Sequence, residues 1–194
     1  MGAIARWLAS FGRPIPLVGY SQGGRMALLT ALDYPDLVER LVLISASPGI
    51  PGDAAQEERR AHDQALADHI KTVGTNVFLD EWLKGPIAGT GHVDDETGQR
   101  DRAVRSVNTP SGLAAALRGL GQGAQPYVGD RLGELEMPLF TVSGSADTAY
   151  TQLAREMAEA APHGTHVPIE GAGHNVILGA PRALVSTLKD TTFD

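Results

Sequence analysis

Residues 19–25 read Gly19-Tyr20-Ser21-Gln22-Gly23-Gly24-Arg25 and contain the pattern G-x-S-x-G. They lie where an apolar run meets a helical pattern of apolar residues, which is the context of a nucleophile elbow, a strained strand-to-helix turn with an exposed serine. We expect Gly19 and Gly23 to provide the room that such a turn needs. The start of a helix at Ser21 would also favour negative charge there. The alternative is a glycine-rich turn with no catalytic role.

Composition and charge narrow the classes of protein to which the chain can belong. Its 194 residues carry a net charge of −7 and are 42% hydrophobic and 20% charged, which is typical of one globular domain. The acidic balance argues against a nucleic-acid partner, although local arginines could hold a small anion. The sequence has no cysteine, no apolar stretch near the length of a membrane span and no recognisable signal peptide. We therefore expect a cytoplasmic protein that does not enter a membrane.

The chain divides into an α/β part and a helical part. Apolar runs predict strands at residues 15–20, 37–46, 137–144 and 165–169. Because these runs are continuous and separated by helical patterns, they predict a parallel sheet covered on both faces. We expect residues 1–50 and 130–194 to form this α/β core. Residues 51–129 show amphipathic helical segments, broken at Gly74, and we expect a helical cap over the site, with a mobile loop at 119–123.

Three residues with catalytic side chains come directly after predicted strands. Ser21, Asp147 and His174 follow one another in the order of the α/β-hydrolases. Because ligands of parallel α/β sheets bind beyond the carboxyl ends of the strands, these side chains are expected to meet. His174 would take the proton of Ser21, and Asp147 would hold the imidazole and stabilise its positive charge. Taken singly, Asp147 could be a helix N-cap and His174 an ordinary loop histidine.

The remaining histidines show no spacing typical of metal ligands. They are His62, His69, His92, His163 and His166. We expect solvated or structural roles for them, and neither a metal nor a cofactor.

Three arginines are candidates for contact with a substrate. Arg25 lies four residues after the elbow serine, so one helical turn brings it to the same face, where a cation would suit an anionic substrate. Arg59 and Arg105 lie on predicted helices of the cap and could bind carboxylates through their guanidinium groups. The alternative for both is a surface ion pair with a neighbour such as Asp63 or Asp101, and the pattern alone favours that alternative.

Motifs along nearly the whole chain match one enzyme family. They are Gly-Tyr-Ser-x-Gly-Gly-Arg (19–25), Glu-Arg-Arg-Ala-His-Asp (58–63), Phe-Leu-Asp-Glu-Trp (78–82), Arg-Ser-Val-Asn-Thr-Pro-Ser-Gly-Leu-Ala (105–114), Leu-Arg-Gly (117–119), Gly-Gln-Gly-Ala-Gln-Pro (121–126), Asp147 and Gly-Ala-Gly-His (171–174). In these motifs the chain resembles the 2-succinyl-6-hydroxy-2,4-cyclohexadiene-1-carboxylate synthases of menaquinone and phylloquinone biosynthesis. The resemblance implies an α/β-hydrolase fold with a helical cap inserted between strands.

The resemblance also implies a lyase rather than a hydrolase. In that family the Ser-His-Asp set acts as a base, and proton removal starts an elimination that expels pyruvate. It implies contacts with a small polycarboxylate substrate at six positions, which are Tyr20, Gln22, Arg25, Arg59, Trp82 and Arg105. The backbone N–H of Gln22 is the expected donor of one half of the oxyanion hole. By its neighbours alone, Trp82 is more typical of cap core than of a ligand contact.

The sequence departs from the family pattern in three places. Ala149-Tyr150 stands where a Lys-aromatic pair is common, and Asn175 stands where a second histidine is frequent. The family also has strands and a His-Gly loop before the elbow, so we expect an N-terminally truncated fold with an unpaired edge beside the elbow strand. Two alternatives to the lyase stay open: a carboxylic-ester hydrolase on the same fold, and an inactive fragment.

Overall fold

The computed structural model describes residues 2–85 and 94–192. These residues form two compact units. The core unit consists of residues 2–48 and 128–192, and the helical unit consists of residues 49–85 and 94–127. Within the described ranges, no helix is both long enough and apolar enough to cross a membrane.

Strands and helices alternate along the core unit, while the helical unit contains α3 to α5. In chain order the elements are α1 (Ala3–Ala9), β1 (Ile15–Tyr20), α2 (Gln22–Asp33), β2 (Val38–Ile44), α3 (Asp53–Trp82), α4 (Asp95–Ser106), α5 (Pro110–Leu120), β3 (Leu139–Gly144), α6 (Thr148–Ala160), β4 (Gly164–Ile169), α7 (Val176–Gly179) and α8 (Pro181–Thr192). Short 3₁₀ turns cover Pro35–Leu37 and Gly129–Glu134.

The four strands of the core unit form one parallel sheet in the order β1-β2-β3-β4. In β2, Leu41 and Leu43 belong to a hydrophobic cluster that includes α1, α2 and α6. Val42 and Ile44, which point the other way, belong to a second cluster that includes α7 and α8. Because both faces of the strand are buried, its apolar run is continuous rather than alternating. The predicted parallel α/β architecture is confirmed.

Strand β1 lies at one end of the sheet and, among the described residues, pairs only with β2. Val18 of this strand is 41% exposed. The preceding segment exposes Trp7 and Phe11, whose rings meet edge to face with centroids 5.2 Å apart. The described part of the chain therefore has the apolar, unpaired strand edge that the sequence predicts.

Helix α3 of the helical unit is interrupted where the sequence predicts a break. Gly74 has φ 81° and ψ 166°, a backbone conformation that glycine adopts readily and other residues rarely do. A hydrophobic cluster of Ile70, Phe78 and Leu79, with side chains from α5 packed against it, supplies this unit with a core of its own. The role of residues 51–129 as a cap stays a prediction.

The glycine-rich segment after α5 is packed against α3. A Cβ on Gly121 would collide with the carboxylate of Asp63, and a Cβ on Gly123 would collide with the backbone of Arg60. The N–H of Gly123 donates to Asp63 Oδ2 at 3.2 Å, and Gln125 is buried. The glycines at 121 and 123 therefore allow a close approach to the helix, and the mobility of residues 119–123 stays a prediction.

Candidate active site

Ser21 occupies the tight turn between β1 and α2. Its φ of 49° and ψ of −115° lie where residues other than glycine are strained, at a typical cost of about 1–3 kcal/mol. A Cβ on Gly19 would come within 2.6 Å of the Gly23 oxygen, and a Cβ on Gly24 within 2.6 Å of the Ala46 Cβ. Apart from its chain neighbours and the backbone of its own helix, no described atom lies within 4 Å of a Cβ built on Gly23. The prediction that Gly23 provides room is therefore wrong, and Gly24 does so instead.

The three predicted triad residues meet at the carboxyl ends of β1, β3 and β4. Ser21 Oγ lies 3.3 Å from His174 Nε2, and His174 Nδ1 lies 2.9 Å from Asp147 Oδ2. The side chains of His174 and Asp147 are only 3% and 16% exposed. In this chain of hydrogen bonds the imidazole can take a proton from the serine while the carboxylate holds the other ring nitrogen. The arrangement is suited to nucleophilic or general-base chemistry.

Asp147 makes both contacts that the sequence offered as alternatives. While Oδ2 binds the imidazole of His174, Oδ1 accepts a hydrogen bond from the N–H of Tyr150 at 3.2 Å and so caps α6. The helix therefore orients the carboxylate that orients the histidine.

Two tyrosine rings lie beside the imidazole of His174. The ring of Tyr150 meets it edge to face, with centroids 4.3 Å apart and an interplanar angle of 70°. The ring of Tyr20 lies 6.0 Å away. Sequence reasoning missed the contact of Tyr150, although its position three residues after the candidate acid was a signal for it.

The other candidate residues of the core unit flank Ser21 along the chain. Tyr20 ends β1, and Gln22 is the first residue of α2, where helix N–H groups point towards the elbow. Arg25 lies one turn further along the helix, donates its backbone N–H to the oxygen of Ser21 at 3.1 Å and is only 7% exposed. The core unit thus contains a buried arginine one helical turn from its candidate nucleophile.

The two candidate arginines of the helical unit both form ion pairs within that unit. Arg59 Nε donates to Asp63 Oδ1 at 2.8 Å, and its Nη1 donates to Gln122 Oε1 at 2.6 Å. Arg105 Nε donates to Asp101 Oδ2 at 2.7 Å. These are the pairs that the sequence suggested as the alternative to substrate binding. Contact of either arginine with a substrate stays a prediction.

Trp82 packs inside the helical unit. Its ring stacks on that of Phe78, with centroids 5.7 Å apart and an interplanar angle of 27°. It also packs against the cluster of Ile70 and Leu79. The packing role is therefore observed, and a substrate contact for Trp82 stays a prediction.

Two of the histidines outside the triad make ordinary polar contacts through their rings. His69 Nε2 lies 2.6 Å from Glu81 Oε2 at an exposed position, and His166 Nε2 lies 2.9 Å from Ser143 Oγ. His92 lies outside the described residues. In residues 2–85 and 94–192 there is no group of three or more histidine, aspartate or glutamate side chains arranged to hold a metal ion.

Comparisons with known sequences point to one family. The model of the α/β hydrolase fold family matches residues 6–181. A Salmonella heidelberg (strain SL476) protein named 2-succinyl-6-hydroxy-2,4-cyclohexadiene-1-carboxylate synthase is 31% identical over 172 residues, which are 89% of this chain and 66% of that protein. A Bacillus subtilis (strain 168) relative, provisionally given the same name, is 32% identical over 87% of this chain and 62% of its own length. The chain thus spans slightly less than two thirds of these curated relatives.

Solved structures agree with the sequence comparison. MenH from S. aureus superposes with a TM-score of 0.90 at 31% identity, over 97% of this chain and 73% of that one. A thermophilic esterase from Thermogutta terrifontis superposes with a TM-score of 0.80 at 24% identity, over 96% and 68% of the two chains. At that lower identity the esterase supports the fold alone.

Proposed function

Because the chain belongs to the α/β-hydrolase fold family and, within it, to the group of 2-succinyl-6-hydroxy-2,4-cyclohexadiene-1-carboxylate synthases (MenH), we propose that it is a lyase of menaquinone biosynthesis. The proposed substrate is 2-succinyl-5-enolpyruvyl-6-hydroxy-3-cyclohexene-1-carboxylate. Loss of pyruvate from it yields 2-succinyl-6-hydroxy-2,4-cyclohexadiene-1-carboxylate. The observation that carries the proposal is the hydrogen-bonded chain of Ser21, His174 and Asp147 beyond the parallel strands.

In the proposed mechanism Ser21 and His174 act together as the base. His174 takes the hydroxyl proton while the serine oxygen removes the proton from C2, the ring carbon that bears the succinyl group. The C–H electron pair first delocalises onto the succinyl carbonyl as an oxyanion. It then returns to form the C2=C3 bond, the C3=C4 pair shifts to C4=C5, and the C5–O bond breaks. The departing enolate of pyruvate takes up a proton, which the imidazolium of His174 returns, and becomes the keto acid.

The charges that develop in this reaction need partners on the protein. Asp147 stabilises the imidazolium. We assign the backbone N–H of Gln22 as a donor to the oxyanion that forms on the succinyl carbonyl. Arg25 supplies positive potential one turn further along α2. Together these three groups would stabilise an anionic intermediate, which the lyase reaction forms on its substrate.

The carboxylates of the proposed substrate call for cations beyond the core unit. We assign them to Arg59 and Arg105 of the helical unit, with residues 51–129 acting as the cap that carries them. A guanidinium has five N–H donors, so the bond of Arg59 Nε to Asp63 does not exhaust its capacity for a second carboxylate. The same argument holds for Arg105 and Asp101.

Release of pyruvate from the proposed substrate tests this function directly. The purified chain is expected to release pyruvate, measured as NADH oxidation by coupled lactate dehydrogenase, and Ser21→Ala is expected to lower the rate at least about 10³-fold. The matched control is Ser143→Ala, because Ser143 is bonded to His166 rather than to His174. Equal rates in wild type and Ser21→Ala, or no release from the wild type, would contradict the lyase.

Hydrolysis of a neutral ester is the second candidate, because the same serine–histidine–aspartate chain suits acyl transfer. Arg25→Met removes the buried charge and keeps most of the side-chain volume. For the lyase we expect this change to lower pyruvate release about 10- to 100-fold and to leave the slow turnover of p-nitrophenyl acetate nearly unchanged. Rapid ester turnover without pyruvate release would favour the hydrolase, and a melting curve of each variant checks that it is folded.

A further inference from the structure

Ser45, at the end of β2, is a second serine with a strained backbone. Its φ of 46° lies in the left-handed region, which glycine adopts without strain and other residues adopt rarely. The residue is 1% exposed, and its Oγ donates to the backbone oxygen of His174 at 2.9 Å. Glycine would relieve the strain at this position, yet the residue is a serine whose hydroxyl binds the candidate base. This suggests that the hydroxyl has a function.

Two further hydrogen bonds anchor the loop that carries His174, at residues before His174. The N–H of Gly171 donates to Ser145 Oγ at 2.9 Å, and the N–H of Ala146 donates to the oxygen of Ala172 at 2.9 Å. Both anchors come from the segment after β3. The bond of Ser45 differs from these two because it reaches the backbone of His174 itself and comes from the neighbouring strand.

Strand β2 lies between β1, which leads to Ser21, and β3, which leads to Asp147, so it can fix the positions of the triad residues relative to one another. The N–H of Ser21 donates to the oxygen of Ile44 at 2.8 Å, and the N–H of Ser45 donates to the oxygen of Val142 at 2.8 Å. The end of β2 is therefore bonded to the elbow, to β3 and, through the Ser45 hydroxyl, to His174.

We propose that Ser45 is a positioning residue that acts through the carbonyl of His174. Its hydroxyl holds the imidazole within reach of Ser21 Oγ. At 3.3 Å this contact is long for a hydrogen bond, so a further small displacement of the ring would slow proton transfer. The inference rests on the Ser21–His174 pair of the proposed function, and it does not depend on which substrate is used.

Covalent labelling of Ser21 tests this role without the natural substrate. A fluorophosphonate reagent is used, and intact mass gives its maximal labelling rate constant and its half-saturating concentration, with Ser21→Ala showing where the label goes. Ser45→Ala and Ser45→Gly are each expected to lower the maximal rate about tenfold with little change in half-saturation. Ser45→Gly removes the hydroxyl but relieves the backbone strain, so a slow rate in a variant that melts no lower than wild type separates positioning from stability. Ser143→Ala is the matched control for loss of a buried serine hydroxyl.

A proton NMR signal provides a second readout. The downfield resonance of the proton between His174 Nδ1 and Asp147, assigned by its loss in His174→Gln, is expected to shift or broaden in both Ser45 variants and to stay unchanged in Ser143→Ala. An unchanged labelling rate in Ser45→Gly, or an equal loss in Ser143→Ala, would overturn the role of Ser45. A wild type that labels at Ser21 but releases no pyruvate contradicts the lyase and leaves this inference standing, whereas a wild type that takes no label overturns both.

Discussion

Two serine–histidine pairs lie in the core unit, Ser21 with His174 and Ser143 with His166. The contact in the first pair is 3.3 Å and that in the second is 2.9 Å, so the pair outside the proposed mechanism is the closer one. Ser21 lies in a strained turn at the start of a helix, whereas Ser143 lies inside β3 and is buried. Among the residues that the structure describes, only the first histidine has a carboxylate, that of Asp147, on its other ring nitrogen. Proximity of serine and histidine is therefore a weaker sign of catalysis than the turn and the carboxylate.

The second pair has the surroundings of a structural polar bridge. Ser143 Oγ lies 3.1 Å from Thr151 Oγ1, so β3, β4 and α6 are joined at this point. Burial, and then the positive charge of Arg155, lower the pKa of His166 from its ordinary value of 6.5. The hydroxyl of Ser143, bonded to both His166 and Thr151, therefore links the two strands and the helix, and no carboxylate among the described residues is bonded to His166.

Removal of the carboxylate from the first pair is the largest change that this comparison predicts. Asp147→Asn keeps a side chain that can cap α6 but no longer stabilises the imidazolium, so pyruvate release and fluorophosphonate labelling should both fall about 10⁴-fold. The melting temperature should change little, because asparagine is as good an N-cap as aspartate. If Asp147→Asn retained more than a tenth of the wild-type rate, Asp147 would not be what makes Ser21 and His174 more reactive than Ser143 and His166.

A change in the shape of the elbow should have the next largest effect. Gly19→Ala places a methyl group 2.6 Å from the Gly23 oxygen, so the turn must open, with an expected loss of about 1–3 kcal/mol in the free energy of unfolding and a slower reaction of Ser21. Gly23→Ala is the matched control, because no described atom crowds a Cβ there. Urea denaturation and Ser21 labelling of both variants measure the difference. Equal destabilisation by the two substitutions would contradict the assignment of the crowding to Gly19.

The smallest predicted effect is a dependence of stability on pH that comes from the second pair. Because the pKa of His166 is lower in the folded state, the unfolded chain binds a proton near pH 6.5 that the folded chain does not yet bind. The free energy of unfolding should therefore fall as the pH drops below about 6.5. His166→Gln can keep a hydrogen bond to Ser143 but does not titrate, so its urea midpoint should fall less between pH 7.5 and 5, on the order of tenths of a molar. If the urea midpoints of variant and wild type fell equally with pH, His166 would not be the source of the pH dependence.

Much of the fold and of the candidate site follows from local patterns. The elbow at residues 19–23 and the order of Ser21, Asp147 and His174 are visible because turn residues and strand ends lie next to them in the chain. The break at Gly74 is visible for the same reason. Interactions that depend on distant residues were missed or misassigned, as with the crowding at Gly24, whose cause is Ala46 at the end of another strand.

Apolar periodicity and turn residues were thus sufficient for the parallel α/β core and for the triad candidates, because helices, strands and turns depend mainly on neighbours in the sequence. Packing alone revealed three further features. Asp63 is buried against a glycine segment some sixty residues away, Tyr150 lies against the imidazole, and Ser45 binds the carbonyl of His174. No local pattern encodes such contacts, because their partners are distant in the chain and meet only when helices pack together and separate strand ends come side by side.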